Sequence, residues 1–403
     1  MEAGFALRQQ FLAKDWLNRK SRVLLLTNYR LDRQQSMIRF GKLLLTPAIE
    51  KRIEIEEIKP IPFFGRFNVF QKTSKWAAYI DKYLLFHKTL RRRLEDMNRI
   101  IDLVHIVDHS NSLYSSGIKK HSSARCLVTC HDLIAVRTSL GEFNEAPLTS
   151  KTGIKLQAWI YNSLKYADYY ACDSIQTKRD LNRLIANSLN LSDVIHLGTT
   201  GRQENHLTRK IEKDSFLFDP EQCDYILHVG SDSWYKNRIS VVKSFIKACK
   251  TQPERKLKLI FVGPVLQVHE SSLEIENWIK ANKDRVLFLN NVKEEVLNYL
   301  YSNASLLLFP SFIEGFGWPP LEANIRGCQV ICSRVGALGE ILDKIATFID
   351  PRNQKQINHA VCNLLNNPNQ KRDSQKTLIP SIESCLGKYQ ELYLKLINNG
   401  TSA

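Results

Sequence analysis

The chain has 403 residues, 43% hydrophobic and 24% charged, which is enough apolar material for ordinary packed cores and too much for a mostly disordered protein. Its nine cysteines are odd in number and set in apolar stretches rather than CxxC pairs, so they read as reduced packing residues of a cytoplasmic protein, against a disulfide frame or zinc cage. The formal net charge of +16 is uneven: residues 1–200 hold 31 Lys and Arg against 19 Asp and Glu, and residues 1–100 alone hold 21 against 10.

The first twenty residues carry charges every few positions around Phe5, Phe11, Leu12 and Trp16. They lack the apolar core of a leader peptide, and two readings are open, an amphipathic interfacial helix over 1–20 or a packed terminus. No uncharged apolar stretch is long enough to span a bilayer. Short β-branched or Leu-rich runs then alternate with helical periodicity, the pattern of parallel sheets wrapped by helices. Strands are expected over 23–27, 103–107, 126–130, 169–172 and 194–196, with helices over 33–45, 151–167 and from 177. Arg91, Arg92 and Arg93 lie beside the apolar-aromatic stretch 76–86. With no nucleic-acid-binding signature present, this basicity suits a lipid-facing or substrate-facing patch, or simply a solvated surface.

A polar, charge-rich break, GTTGRQENHLTRKIEKDSFLFDPEQ, reads as a linker, placed at 206–222 between a first domain over 1–205 and a second over 223–373. The second set of strands is expected over 225–229, 257–262, 286–289, 306–309 and 329–332, and its helices over 239–249, 271–281, 293–302 and 321–326. Residues 374–403 form a last helix with no strand after it, placed to pack back across the domain junction. The fold class is α/β, two Rossmann-like doubly wound parallel sheets facing a cleft.

The most informative stretch is Pro310-Ser311-Phe312-Ile313-Glu314-Gly315-Phe316-Gly317-Trp318-Pro319-Pro320-Leu321-Glu322-Ala323. A strand ends at a turn, two glycines allow close backbone approach, and a helix is expected beyond the prolines, with Glu322 in its first turn. Ligands of open α/β sheets bind there, outside the carboxyl ends of the strands and near helix N-termini. Two carboxylates, Glu314 and Glu322, lie eight positions apart, each able to accept from a pair of hydroxyls. For either alone, a loop charge or a helix-dipole complement is the simpler account.

This string, with Gly327, Val330 and Gly339-Glu340, resembles the E-x7-E region of retaining glycosyltransferases of family 4, glycosyl transferases group 1, which have the GT-B fold. Leu227-His228-Val229-Gly230 with Trp234-Tyr235-Lys236-Asn237, the segments 285–301 and 168–181, and Thr129-Cys130-His131-Asp132-Leu133 are similar to other family segments in the same order. The resemblance implies that Glu314, with the backbone of Gly315, Phe316 and Gly317, holds the donor sugar, that Glu322 holds the nucleotide ribose, and that Lys236 binds the diphosphate. It places His131 at the cleft facing the donor sugar, the alternative being a hydrogen-bonded strand-end histidine. Relatives carry an arginine near the lysine where this chain has Ser231 or Tyr235. Arg238 is a substitute for it, or an ordinary helix-surface arginine.

No D-x-D motif occurs, so positive side chains and a helix N-terminus would stabilise the departing diphosphate without a metal. A metal site at His105, His109 and His131 lacks a well-placed further ligand; His109 faces the cleft by topology. In the first loop, Arg33 and Gln34 are candidate acceptor or phosphate contacts, with helix capping by Asp32 the plainer reading. The expectation is a metal-independent, retaining hexosyltransferase that uses a nucleotide-sugar (NDP-sugar) donor and a glycan or lipid-linked acceptor in polysaccharide, lipopolysaccharide or glycolipid synthesis. It would need no cofactor, bind no nucleic acid, and sit in the cytoplasm with peripheral contact to an anionic membrane face. The alternatives are a sugar-nucleotide epimerase or hydrolase of the same fold, or a non-catalytic NDP-sugar-binding relative.

Overall fold

The structure, a computed structural model, describes residues 20–32, 34–46, 52–66, 77–97, 100–185, 188–199, 219–267, 273–343, 345–367 and 379–399. The expected helix over 1–20 and most of the expected linker therefore lie outside the described residues, as does Arg33.

The first sheet is wholly parallel, in the order β2-β1-β3-β4-β5-β6: β1 (Ser21–Leu26), β2 (Ile53–Ile58), β3 (Leu103–Ile106), β4 (Arg125–Cys130), β5 (Tyr169–Cys172) and β6 (Ser192–Val194). Its central strands are continuous hydrophobic runs because helices cover both faces. β2 was not expected. Its sequence IEIEEI alternates charge with β-branched residues, which suits an edge strand that pairs with β1 alone. The second sheet is also wholly parallel, in the order β12-β11-β10-β7-β8-β9: β7 (Tyr225–Val229), β8 (Lys258–Val262), β9 (Val286–Leu289), β10 (Leu306–Phe309), β11 (Val330–Ser333) and β12 (Thr347–Ile349). All nine cysteines are free thiols.

In each sheet the chain reverses direction once, between β1 and β3 in the first and between β7 and β10 in the second. That reversal opens a crevice at the carboxyl ends, where flanking loops diverge. The loops after β7 and β10 carry Lys236 and Glu314, and those after β1 and β3 carry Gln34 and His109.

Among the helices, α1 (Gln35–Leu44) follows β1, a π-turn over Asp81–Leu85 runs into α2 (Phe86–Asp96), and α3 (Ser115–His121), α4 (Ile134–Ser139), α5 (Lys151–Leu164) and α6 (Ile175–Leu184) complete the first unit. The second has α7 (Arg238–Thr251), α8 (Leu273–Ala281), α9 (Glu294–Asn303), α10 (Trp318–Ile325), α11 (Leu338–Ile341) and α12 (Gln354–Asn366).

The final helix, α13 (Ile382–Asn398), returns to the first sheet. Its Leu386, Tyr389, Leu392, Tyr393 and Leu396 are buried, each contributing on the order of 1.5–3 kcal/mol. His105 on β3 lies 2.7 Å from the Tyr393 hydroxyl and 2.7 Å from Thr129 Oγ1, and Thr129 lies 3.1 Å from the Tyr389 hydroxyl. Burial first, and then the charge on His131, push the His105 pKa down to about 3, so it is a neutral core histidine. Where α13 arrives, Thr199 forms a parallel bridge with Ser381 and donates its amide N–H to the Pro380 carbonyl at 3.0 Å.

Candidate active site

Lys236 ends a short 3-10 turn, Trp234–Lys236, and Asn237 follows in the left-handed region at φ 51°. The Asn237 side-chain amide donates to the carbonyls of Pro310 (3.1 Å) and Pro351 (2.9 Å), which pins the loop after β7 to those after β10 and β12. The Phe312 amide donates to the Tyr235 carbonyl at 2.8 Å and repeats the tie to the loop after β10. The result is a direct pair across the crevice, with Lys236 Nζ donating to Glu314 Oε1 at 2.7 Å, the two residues 9% and 8% exposed. The ammonium also lies 4.7 Å from the Phe309 ring centroid, a cation–π contact that holds it in a poorly hydrated place.

Glu314 leads into Gly315, where a Cβ would overlap the carbonyl oxygen of His131 from the other sheet. Only glycine lets the second unit's loop approach β4 so closely. Gly317 takes φ +87°, the left-handed region that favours glycine. Phe316 is buried, its ring 6.3 Å from that of Trp318.

The helix after this loop begins three residues earlier than expected. Proline is tolerated in the first turn because the N–H it lacks has no intrahelical partner there, so Pro319 and Pro320 lie inside α10 and Glu322 falls in its second turn. Glu322 faces the first unit all the same. Arg39 of α1 donates from Nη1 to its Oε1 at 2.5 Å, and the Tyr301 hydroxyl donates to Oε2 at 3.2 Å. The Arg39 guanidinium also stands 4.8 Å over the Trp318 ring. Burial alone would weaken its charge, but Glu322 and then Glu294 outweigh that and raise the Arg39 pKa.

His131 lies at the carboxyl end of β4, with Nδ1 2.5 Å from Asp173 Oδ2 and Nε2 2.8 Å from the Val107 carbonyl. Both neighbours accept, so both bonds require the doubly protonated ring. Burial opposes that charge, but Asp173, Asp108 and the Val107 carbonyl outweigh it and raise the pKa to about 9. Burial pushes the Asp173 carboxyl up as well; with acceptors at both ring nitrogens, the proton stays on His131. Both ring nitrogens are thus engaged within the first unit. The His131 carbonyl is the part set against Gly315.

Arg238 is 3% exposed, so it is not a surface residue; its guanidinium lies 4.4 Å over Phe261, with Nη1 donating to the Pro264 carbonyl (2.8 Å) and Asp232 (3.2 Å). Its Nε and Nη2 have no hydrogen-bond partner among the described residues. In the first crevice, Asn28 Nδ2 donates to Gln34 Oε1 and Asp108 Oδ2, both at 2.6 Å, and Asn111 donates to Asn28 at 3.1 Å. His109 is 7% exposed; its Nδ1 lies 3.4 Å from Asp108 Oδ1 and makes no hydrogen bond among the described residues. Among the described residues no three His, Cys, Asp or Glu side chains gather as metal ligands.

Sequence reasoning passed over three residues that the structure brings to the cleft. Arg39 gives no sequence signal, being 283 positions from its partner. Asp173 was visible as the acid closing a buried strand, and Glu340 lay in the Gly339-Glu340 pair. Glu340 accepts from the amides of Ile175 (3.1 Å) and Gln176 (3.3 Å) and lies 2.8 Å from His196 Nε2, so the second unit caps helix α6 of the first. Burial opposes its charge, but these donors hold the Glu340 carboxyl below its ordinary value.

Residues 210–378 match the family described as Glycosyl transferases group 1. The chain is 31% identical over 157 residues to the O-antigen chain mannosyltransferase RfbU of Salmonella typhimurium, covering 38% of this chain and 42% of that one. It is 41% identical over 76 residues to O-antigen chain mannosyltransferase B of Escherichia coli, covering 19% and 18%. The matched stretches thus span less than half the length of these curated relatives. Among solved structures, sucrose-phosphate synthase from Thermosynechococcus elongatus superposes with a TM-score of 0.66 at 16% identity, over 94% of this chain and 100% of that one. The Anabaena protein HepE in complex with UDP and glucose superposes with a TM-score of 0.60 at 13% identity, over 95% and 98%. The fold is GT-B, and its second unit carries a glycosyl transferases group 1 domain.

Proposed function

We propose that this chain is a metal-independent, retaining glycosyltransferase of family 4 that moves a hexose from an NDP-sugar to a glycan or lipid-linked acceptor at an anionic membrane face. The observation that carries the reading is the buried Lys236–Glu314 pair, 2.7 Å long at the second sheet's switch point, inside the segment that matches the transferase family. A lysine and a carboxylate so placed suit the two halves of a sugar diphosphate, the anion and the hydroxyls.

In the reaction, the bond from the anomeric carbon to the diphosphate oxygen breaks and its electron pair leaves on the phosphate. The Lys236 ammonium stabilises that developing charge. The acceptor hydroxyl bonds to the anomeric carbon from the face the phosphate vacates, and its proton passes to the departing phosphate. Glu314 orients the sugar hydroxyls. Glu322 receives the ribose in place of Arg39, so donor binding exchanges one partner of that carboxylate for another. The His131 imidazolium, paired with Asp173, lies behind its own carbonyl at the Gly315 contact and fixes that wall of the cleft without adding net charge. Gln34 and His109 line the acceptor side.

Since the relatives named above are mannosyltransferases, mannose is the first hexose to try. A thermal-shift screen of UDP-, GDP-, ADP- and dTDP-sugars identifies the donor, because a ligand that prefers the native state raises Tm. With that donor and an acceptor in hand, Glu314→Ala and Glu314→Gln should abolish transfer while the melting curve stays cooperative. Undiminished turnover by Glu314→Ala would overturn the proposal, as would product with an inverted anomeric centre for its retaining part.

A further inference from the structure

Along the β1–β2 side of the first crevice, apolar side chains stand in solvent that ordinary packing would cover. Leu31, Phe63, Phe64, Ile80, Leu84 and Trp159 are 46%, 60%, 42%, 40%, 55% and 42% exposed. They form one neighbourhood. Leu31 follows β1, Phe63 and Phe64 follow β2, and Ile80 and Leu84 lie at the start of the helix that leads back to β3. The Tyr83 ring, 5.4 Å from that of Tyr79 and 5.4 Å from that of Trp159, joins α5 to the group. A contiguous apolar area of this kind, rimmed by polar residues, marks an interaction site.

The exposure is built, not accidental. Asp81, 1% exposed, accepts from the backbone amides of Phe63 (3.1 Å), Phe64 (3.0 Å) and Gly65 (3.0 Å) and from the Tyr29 hydroxyl (2.8 Å). One buried carboxylate thereby fixes the backbone of the two phenylalanines and fastens it to the loop after β1. Fixed apolar tips cost little further ordering when they enter a second apolar phase.

Charge identifies the partner. Arg30, Lys88 and Arg92 are exposed and form no ion pair among the described residues. Ile80, Leu84 and Lys88 recur at four-residue spacing, so one helix flank turns from apolar to basic within two turns. Exposed aromatic and aliphatic tips backed by unpaired cations match an anionic lipid surface, apolar inside and negative at the headgroups.

The geometry points to this patch as the membrane-docking surface, holding the acceptor side of the crevice against anionic lipid so that a lipid-linked acceptor enters beside the loops after β1 and β2. It deepens the proposed function and rests on it for the acceptor, whereas the docking itself is testable without turnover. No helix among the described residues is long and apolar enough to cross a membrane.

The test is co-sedimentation of the full chain with vesicles of phosphatidylglycerol or of phosphatidylcholine, at low and high salt. The wild type should bind phosphatidylglycerol vesicles at low salt at least about tenfold more tightly than phosphatidylcholine vesicles, with that margin shrinking as salt rises. The double variant Phe63→Ser/Phe64→Ser should lose about tenfold or more of the binding, and Lys88→Glu/Arg92→Glu should erase the lipid-charge preference. Each variant should keep the wild-type melting temperature and its turnover of a soluble acceptor. No wild-type binding, equal binding to the two lipids, or undiminished binding by the phenylalanine variant each overturns the inference. A self-association that the phenylalanine variant abolishes, without vesicle binding, assigns the patch to a second copy and overturns it too. If no NDP-sugar is turned over but the variants lose vesicle binding as stated, the transferase reading fails and the docking surface stands.

Discussion

Both sheets are six-stranded and parallel, and each reverses once beside its own first strand, after two strands in the first and after three in the second, yet the crevices they open hold different chemistry. At β7 and β10 the crevice holds a buried charge pair, Lys236 with Glu314, and only short loops separate these residues from their strands. At β1 and β3 it holds amides and one acid, Asn28, Gln34, Asn111 and Asp108, joined in a hydrogen-bonded chain. The first arrangement suits an anionic, hydroxyl-rich ligand of fixed kind. The second suits a neutral ligand read by hydrogen bonds, and it lies beside exposed apolar residues. Topology sets where a ligand sits; the loop residues set what it is.

The sharpest break of this comparison is Lys236→Ala against Asn111→Ala. If the charged crevice carries the departing phosphate, Lys236→Ala should lower kcat by roughly 10²–10³-fold, followed by release of the nucleoside diphosphate. Asn111→Ala should change acceptor KM by less than about tenfold, the range for one lost hydrogen bond. Equal losses in the two variants would end the division of labour.

Next in size is the pH dependence of stability, to which the first unit contributes His131 and His105 and the second His228. His131 has its pKa raised to about 9, above an unfolded value of about 6.5. Its contribution is therefore fully present below about pH 6.5 and is lost as pH rises through about 9. His105 and His228 are pushed down to about 3, each chiefly by burial, so they favour the fold above about pH 6.5 and oppose it as pH falls. Tm should peak near neutrality. Asp173→Asn should flatten the alkaline limb and leave the acid limb in place; an unchanged alkaline limb would remove the imidazolium assignment.

Arg39→Ala should act on binding rather than chemistry. If donor ribose displaces Arg39 from Glu322, removing the arginine should lower donor KM by about two- to fivefold, the scale of a single ion pair, with kcat nearly unchanged. Arg39→Lys should restore most of the wild-type value. The smallest effect is expected at Arg352, whose Nε lies 2.6 Å from Glu145 in an exposed pair between the units. Arg352→Ala should shift stability by under about 1 kcal/mol, and a larger shift would mean that this edge carries the interface.

The second unit was the more legible in sequence, and the reason is local. The strand, glycine turn and helix from Pro310 to Ala323 are contiguous, so residue spacing reports their geometry directly. The limits of that reading were local too: it started α10 beyond Pro320, because prolines signal a boundary, although they are tolerated inside a first turn. In the first unit, strands β3, β4 and β5 stood out as apolar runs, while β2 hid behind its glutamates. Arg39 and Asp173 act through partners 283 and 42 positions away, distances over which periodicity carries no information.

The chain passes between the two units by way of Thr199, and it comes back beside Ser381, where the two passes are bridged to each other. Two ropes knotted at one point behave as a single pivot. If the molecule opens to admit the proposed sugar nucleotide, the swing would turn about that knot, and the parts remote from it would travel furthest. A tightening of the knot, for instance by a cross-link between positions 199 and 381, would slow the swing without touching any residue of either crevice.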